Sequence, residues 1–166
     1  MKRTTKTLRL AAIVSASALT LAACGGGDSS DDTDKDIAKG NGELVIGSLL
    51  PQTGSLAFLG PPEFAGVDLA VKEINEAGGV NGKDVKHVKG DSGDADSGIA
   101  PTETDKLIKA GSDVIVGAAS SGVSMTVIDK IQSAGVVMFS PANTSTAFDE
   151  KPYDGADLYF RTAPSD

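Results

Sequence analysis

The sequence predicts an α/β domain built on a doubly wound parallel sheet, and three observations predict it. Short branched apolar runs alternate with stretches of helical periodicity, the order that a parallel sheet with crossover helices requires. The first of these runs, Leu44, Val45, Ile46, Leu49 and Leu50, is nearly continuous, as a strand covered on both faces should be. Three of the runs end in loops of small and polar residues, at 51–60, 118–122 and 140–146. In a parallel sheet such loops gather on one edge, at the carboxyl ends of the strands, where open α/β sheets bind ligands.

Each element follows in order. Residues 43–50 form the first strand. Pro51-Gln52-Thr53-Gly54 turns the chain, and residues 55–60 are a loop. Pro61-Pro62 starts a helix, the second proline suiting its first position. Phe64, Val67, Ala70, Val71 and Ile74 recur at three and four residues and make one apolar stripe. Gly78-Gly79 ends that helix. Residues 84–88 are a weaker strand; His87, the only histidine, is read as a solvent-facing residue on it. Residues 91–98 form an acidic loop, read as solvated and helix-capping. A helix over 99–110 turns Leu107 and Ile108 inward; Pro101 limits how early it can begin, and Gly111 ends it. Residues 113–117 are the next strand, followed by a helix to about Ser133 with Val127, Ile128 and Ile131 inward. Residues 136–139 and 158–162 are the last two strands.

The stretch from Val114 to Ser124 organises the rest. Three branched residues run into Gly117-Ala118-Ala119-Ser120-Ser121-Gly122, and a helix starts there. The hydroxyls of Ser120 and Ser121 share that space with the free N–H groups and positive dipole end of the helix. An anionic group such as a carboxylate would be stabilised at this point. Taken alone, the stretch fits a serine helix cap as well as a binding loop; the clustering of the three polar loops favours binding. Gly117 to Ser124 nearly spells the phosphate loop, but Val123 stands where its lysine must be. No G-x-G-x-x-G follows a strand, so nucleotide binding is not indicated.

Composition narrows the classes further. The 166 residues suffice for one domain, and 20 glycines with 4% aromatics suit tight loops around a small aliphatic core. Net charge is −8; without Lys2, Arg3, Lys6 and Arg9 it is −12. An acidic chain with no basic patch is a poor partner for nucleic acid or anionic lipid heads. Those four basic residues precede a 14-residue apolar run, Leu10 to Ala23, too short to span a bilayer that needs ~20 residues. Residues 1–24 read as a secretory signal closed by Leu21-Ala22-Ala23-Cys24, which resembles the lipobox of bacterial lipoproteins. Cys24, the only cysteine, would carry the lipid and anchor the protein to the outer face of the cell membrane. Residues 25–42, rich in Gly, Ser and Asp, cannot bury enough surface to fold and read as a flexible tether.

Catalytic lookalikes carry little. Gly90-Asp91-Ser92-Gly93 resembles a serine-protease nucleophile motif, but the one histidine lies on the adjoining strand and no base is placed against Ser92. Asp91, Asp94 and Asp96 fit no EF-hand frame. Neither an enzyme, a metal site nor a cofactor is indicated.

Ile46-Gly47, Pro51 through Gly54, Gly60, Phe64-Ala65-Gly66, residues 70–75, residues 78–83 and Asp91 resemble the opening of the branched-chain amino-acid binding proteins of ABC transporters. Val116-Gly117, Ser120-Ser121, Gly135-Val136, residues 139–144 and residues 160–166 continue the likeness. The resemblance implies a type I periplasmic-binding-protein fold, two α/β lobes closing on a ligand, with residues 43–166 as a truncated first lobe. It implies that Ser121, beside Ser120, holds a ligand carboxylate. It further implies that Ala142 and Thr144 receive the ammonium through a carbonyl and a hydroxyl, with Asn143 between them in the ligand-binding set. Leu59 resembles a position that often carries an aromatic wall. The acidic partner of the ammonium and the second set of contacts would come from the other lobe, into which residues 161–166 resemble the first crossing. The implied function is an extracytoplasmic solute-binding lipoprotein that takes an amino acid of branched-chain type, or a related small carboxylate or amide, to an ABC permease. The rival readings are a ligand-binding sensor lipoprotein that feeds no permease and, more remotely, a secreted hydrolase.

Overall fold

Val45–Leu50, β1, is buried along its whole length and is paired on both sides. The structure, a computed structural model, describes residues 41–150, Tyr153 and 157–166. The signal-peptide reading with Cys24, and all but the last residues of the tether, lie outside the described residues.

Four further strands join β1: β2 (Lys86–Asp91), β3 (Val114–Gly117), β4 (Val137–Ser140) and β5 (Tyr159–Arg161). All pairings are parallel, in the order β2-β1-β3-β4-β5. The helices are α1 (Gly60–Glu76), α2 (Ile99–Lys109) and α3 (Ser121–Ser133). The doubly wound parallel sheet expected from the alternation of patterns is therefore present. Both ends of β2 move from the expected 84–88: it runs on to Asp91, paired with Leu50, and starts at Lys86, because Val85 is spent in the core under α1, where its N–H and carbonyl bond the side chain of Asn75.

Strand alternation divides the core between two faces. On one, Leu49, Ile115 and Met138 pack against Ala100 and Leu107 of α2 and Val127, Ile128 and Ile131 of α3. On the other, Ile46 packs with Val71 of α1, flanked by Val67, Ile74, Val114 and Val116. Of the stripe expected on α1, Ala70 is exposed and Phe64 only half-buried, since one helix over two strands needs a narrow seam. The α1 start also differs from expectation. Leu59 is the N-cap, so Pro61 and Pro62 occupy the second and third positions, where N–H groups have no intrahelical partner in any case. Beyond α1 the same face stays open. Val116, Phe139 and Phe160 lie side by side in register across β3, β4 and β5, and Phe139 and Phe160 are 37% and 50% exposed.

The β1-α1-β2 connection lies on one face and the β2-α2-β3 connection on the other. The chain reverses direction across the sheet between β1 and β3, and a crevice opens at their carboxyl ends. The loops after β1 and β3 form its walls. Gly117 makes the second wall possible: its φ is +132°, and a Cβ there would sit 2.1 Å from the Leu49 carbonyl oxygen.

Candidate functional site

The loops after β3 and β4 are knotted together. Asn143 Nδ2 donates to the carbonyls of Ala118 and Ala119, both at 3.0 Å, and its Oδ1 accepts from the Tyr159 hydroxyl at 3.0 Å. Ser140 Oγ donates to the Ala118 carbonyl at 2.8 Å and accepts from the N–H groups of Ala142 and Asn143. Ser124, buried in the first turn of α3, accepts from the Ala118 N–H at 3.2 Å. Burial pushes the Tyr159 hydroxyl up to about 12, so it remains a donor throughout the neutral range.

Ser121 joins the two loops at the rim. Its Oγ accepts from the N–H groups of Thr144 and Ser145, each at 3.3 Å. With its acceptor sites so used, the hydroxyl proton is left to donate outward. Ser120 is the N-cap of α3, but its side chain makes no capping bond, so the serine-cap reading does not describe it. The first helical N–H taken up internally is that of Ser124, by the Ser120 carbonyl. The N–H groups before it have no partner within the helix, and two half-buried serines stand beside them.

A few residues on, the polarity reverses. Thr144 Oγ1 donates to the Asp166 carboxylate at 2.8 Å, which leaves its lone pairs free to accept, and the Asp166 N–H returns a bond to the Thr144 carbonyl. Ala142 is half-buried beside it. Asn143, expected among the ligand contacts, is placed otherwise: it is fully buried, and both ends of its amide are committed to neighbouring loops. It fixes Ala142 and Thr144 on either side of it.

The loop after β1 is held from a distance. Asp91 accepts from the N–H groups of Gln52, Thr53 and Gly93 and from the Thr53 hydroxyl. Burial pushes its carboxyl up, but the bonds from Thr53, Gly93 and Gln52 outweigh this and hold it below its usual range. Asp94 accepts from both the N–H and the hydroxyl of Ser55. The acidic loop is thus a staple on residues 52–55. Its end also serves α2: Gly98, in the left-handed region, is the N-cap, and Ser97 Oγ accepts from the Ile99 N–H at 3.3 Å, so the capping comes from a serine hydroxyl and not from the acidic side chains. Leu59 is half-buried at the end of a 3-10 turn, Ala57–Leu59, while its neighbour Phe58 is 72% exposed, an aromatic on this rim that the sequence reading passed over.

The structure also corrects His87. Its side chain is only 8% exposed, under α1, with Nδ1 2.8 Å from Asp68 Oδ1 and Nε2 against Ser48 Oγ. A serine, a histidine and an aspartate are in line, but Ser48 is fully buried in mid-strand and no substrate could reach it. The expectation missed the placement because Asp68 sits one helix away in sequence and completes a polar seam between α1 and the sheet.

Residues 43–166 match the family described as "Periplasmic binding protein". The chain belongs to that family. Its members are extracytoplasmic solute-binding proteins and not enzymes. A Leu/Ile/Val-binding protein homolog 2 of Brucella abortus is 34% identical over 110 residues, covering 66% of this chain and 29% of the relative. A chemotactic signal transduction system substrate-binding protein, BasB, of Halobacterium salinarum is 34% identical over 127 residues, 74% of this chain and 30% of that protein. Among solved structures, the branched-chain amino acid transporter substrate-binding protein LivJ of Streptococcus pneumoniae, in complex with isoleucine, superposes with a TM-score of 0.65. It is 31% identical, over 74% of this chain and 34% of LivJ. The chain thus spans about a third of the length of the periplasmic-binding-protein relatives it matches, and its fold is that of their α/β lobe.

Proposed function

We propose that this protein is a solute-binding lipoprotein of an ABC uptake transporter that captures an amino acid of branched-chain type, or a related small carboxylate or amide, and delivers it to the permease. One observation carries the reading. Donors at Ser120, Ser121 and the start of α3 stand next to acceptors at the Ala142 carbonyl and the Thr144 hydroxyl, and Ser121 ties the two groups together. A carboxylate and an ammonium one carbon apart, as in any α-amino acid, match that change of polarity. Leu59 supplies the apolar wall. Cys24 takes the lipid that holds the protein at the outer face of the membrane, residues 25–42 are the tether, and residues 43–166 are the first of two lobes. The relatives named for Leu/Ile/Val binding and the isoleucine complex support the ligand class. A second reading, a sensor that feeds no permease, is favoured by one relative's chemotactic description.

A thermal-shift screen of amino acids, amides and small carboxylates on the complete polypeptide tests this. A true ligand at a hundred times its dissociation constant stabilises by ~2.7 kcal/mol. A screen in which leucine, isoleucine and valine give no shift, while some other class does, sinks the ligand assignment.

A further inference from the structure

Several polar groups behind the ligand stations converge on Arg161, the last residue of β5. Its side chain is only 12% exposed. Nη1 donates to the Ser145 carbonyl at 2.8 Å and reaches the Asn143 carbonyl at 3.5 Å. One nitrogen therefore holds the carbonyls on both sides of Thr144. Nη2 donates to both carboxylate oxygens of Asp149 at 2.9 Å and also meets Ser165 Oγ. The guanidinium lies 5.7 Å from the centre of the Phe148 ring, which stacks on Tyr159 at 4.6 Å. A guanidinium so far out of water is tolerable only when its charge is paired and its donors used. Asp149 answers that need. Its carboxyl is held below the usual range first by the Ser165 hydroxyl and, against a smaller opposing push from burial, by Arg161.

We infer that Arg161, with Asp149 as its counter-ion, is a positioning residue for the ammonium side of the ligand site, fixing Thr144 through the carbonyls on either side of it, and Ala142 only through the adjoining Asn143, without touching the ligand. The inference rests on the amino-acid-binding reading above. It also explains why arginine stands here: the planar fork serves backbone carbonyls with one nitrogen and a carboxylate with the other, whereas a lysine ammonium is a single point. The carboxylate stations at Ser120, Ser121 and the N-terminus of α3 receive no bond from Arg161. They feel it only through the long bonds, 3.3 Å each, from the Thr144 and Ser145 N–H groups to Ser121 Oγ, so a positioning role has a signature that general damage lacks, a loss much larger for ligands that carry an ammonium.

The test compares leucine with 4-methylpentanoate, which is leucine without its ammonium, on the complete polypeptide. Calorimetry reads the first and competition reads the second. Arg161→Lys should weaken leucine at least about tenfold and change 4-methylpentanoate by less than about threefold. Asp149→Asn, which leaves the arginine in place, should show a smaller loss with the same selectivity and covers the case in which Arg161→Lys folds poorly. Equal losses for both ligands, or no loss in either variant of a protein that binds leucine, overturn the inference and leave the functional reading standing. A wild-type protein that binds neither ligand overturns the functional reading, and the inference with it.

Discussion

Replacing Ser121 by alanine separates what its hydroxyl gives a ligand from what it gives the fold. Toward a ligand carboxylate it offers one donor to a charged acceptor, worth ~1.5–3 kcal/mol. That is a weakening of roughly ten- to a hundredfold in affinity. Toward the fold it accepts two N–H groups, at 3.3 Å each, from residues that are only half-buried. Water can replace those long bonds, so the stability cost should stay near or below ~1 kcal/mol, a fall in Tm of about 2–6 °C. The remaining N–H groups at the start of α3 keep some carboxylate affinity, so binding should weaken and not vanish. Isothermal titration of leucine into the complete wild-type and Ser121→Ala polypeptides reads the first quantity, and scanning calorimetry without ligand the second. Ser121→Thr, which keeps the hydroxyl, should recover most of the affinity. An unchanged dissociation constant in Ser121→Ala would falsify the carboxylate assignment; a large loss of Tm with a proportionate loss of binding would mean that the hydroxyl serves the fold first.

Other expectations are as specific. Asn143→Ala should cost ~2–4 kcal/mol in urea unfolding, because it strands the buried Ala119 carbonyl and the Tyr159 hydroxyl and leaves the Ala118 carbonyl with the Ser140 bond alone; a cost within 0.5 kcal/mol of zero, roughly that of a surface change, refutes its role as the tie between loops. Asp91 has a folded-state pKa below its ordinary 3.8, so its contribution is fully present above 3.8 and is lost as pH falls from there through the lower folded-state value. Asp91→Asn should accordingly lower stability at neutral pH and flatten the acid limb of the stability curve, and a variant whose acid limb matches wild type contradicts the staple on residues 52–55. Cys24→Ser should abolish incorporation of radioactive palmitate, and label on the variant rules out the lipobox. Residues 43–166 expressed alone should bind leucine weakly at best and be poorly soluble, with Phe160→Lys improving solubility by charging the open row of β5; micromolar binding by a well-behaved monomeric fragment would show a complete domain in place of one lobe.

Much of the architecture was legible because it depends on local period and punctuation. The branched run of β1, the i, i+3, i+4 spacing on α1 and the Gly78-Gly79 stop are each visible within a dozen residues, and together they imply the parallel alternation that the strand order shows. That Ser121 and Thr144 meet was approachable because both follow strands and so must share an edge. What escaped was the choice of polar partner across long separations. Asn143 looks like one more small polar residue in a loop, yet its amide is spent on carbonyls 24 and 25 residues away. Asp91 and Asp94 look like solvated charges, yet each is taken up by a loop 38 or 39 residues back. His87 reads as an exposed residue of a weak strand until α1 lowers Asp68 onto it. A sequence pattern shows that a polar side chain must be satisfied, but the partner is decided by which elements the topology stacks together.

The ties between the loops after β3 and β4 run from one to the other more than within either. On the function proposed above, an amino acid arriving here would meet a surface whose shape was settled when the chain folded, with little ordering of protein left to oppose its capture. On the same two-lobe reading, encounter with this lobe would be limited by diffusion and desolvation, and residence time would be governed by what closes over the ligand from the opposite side.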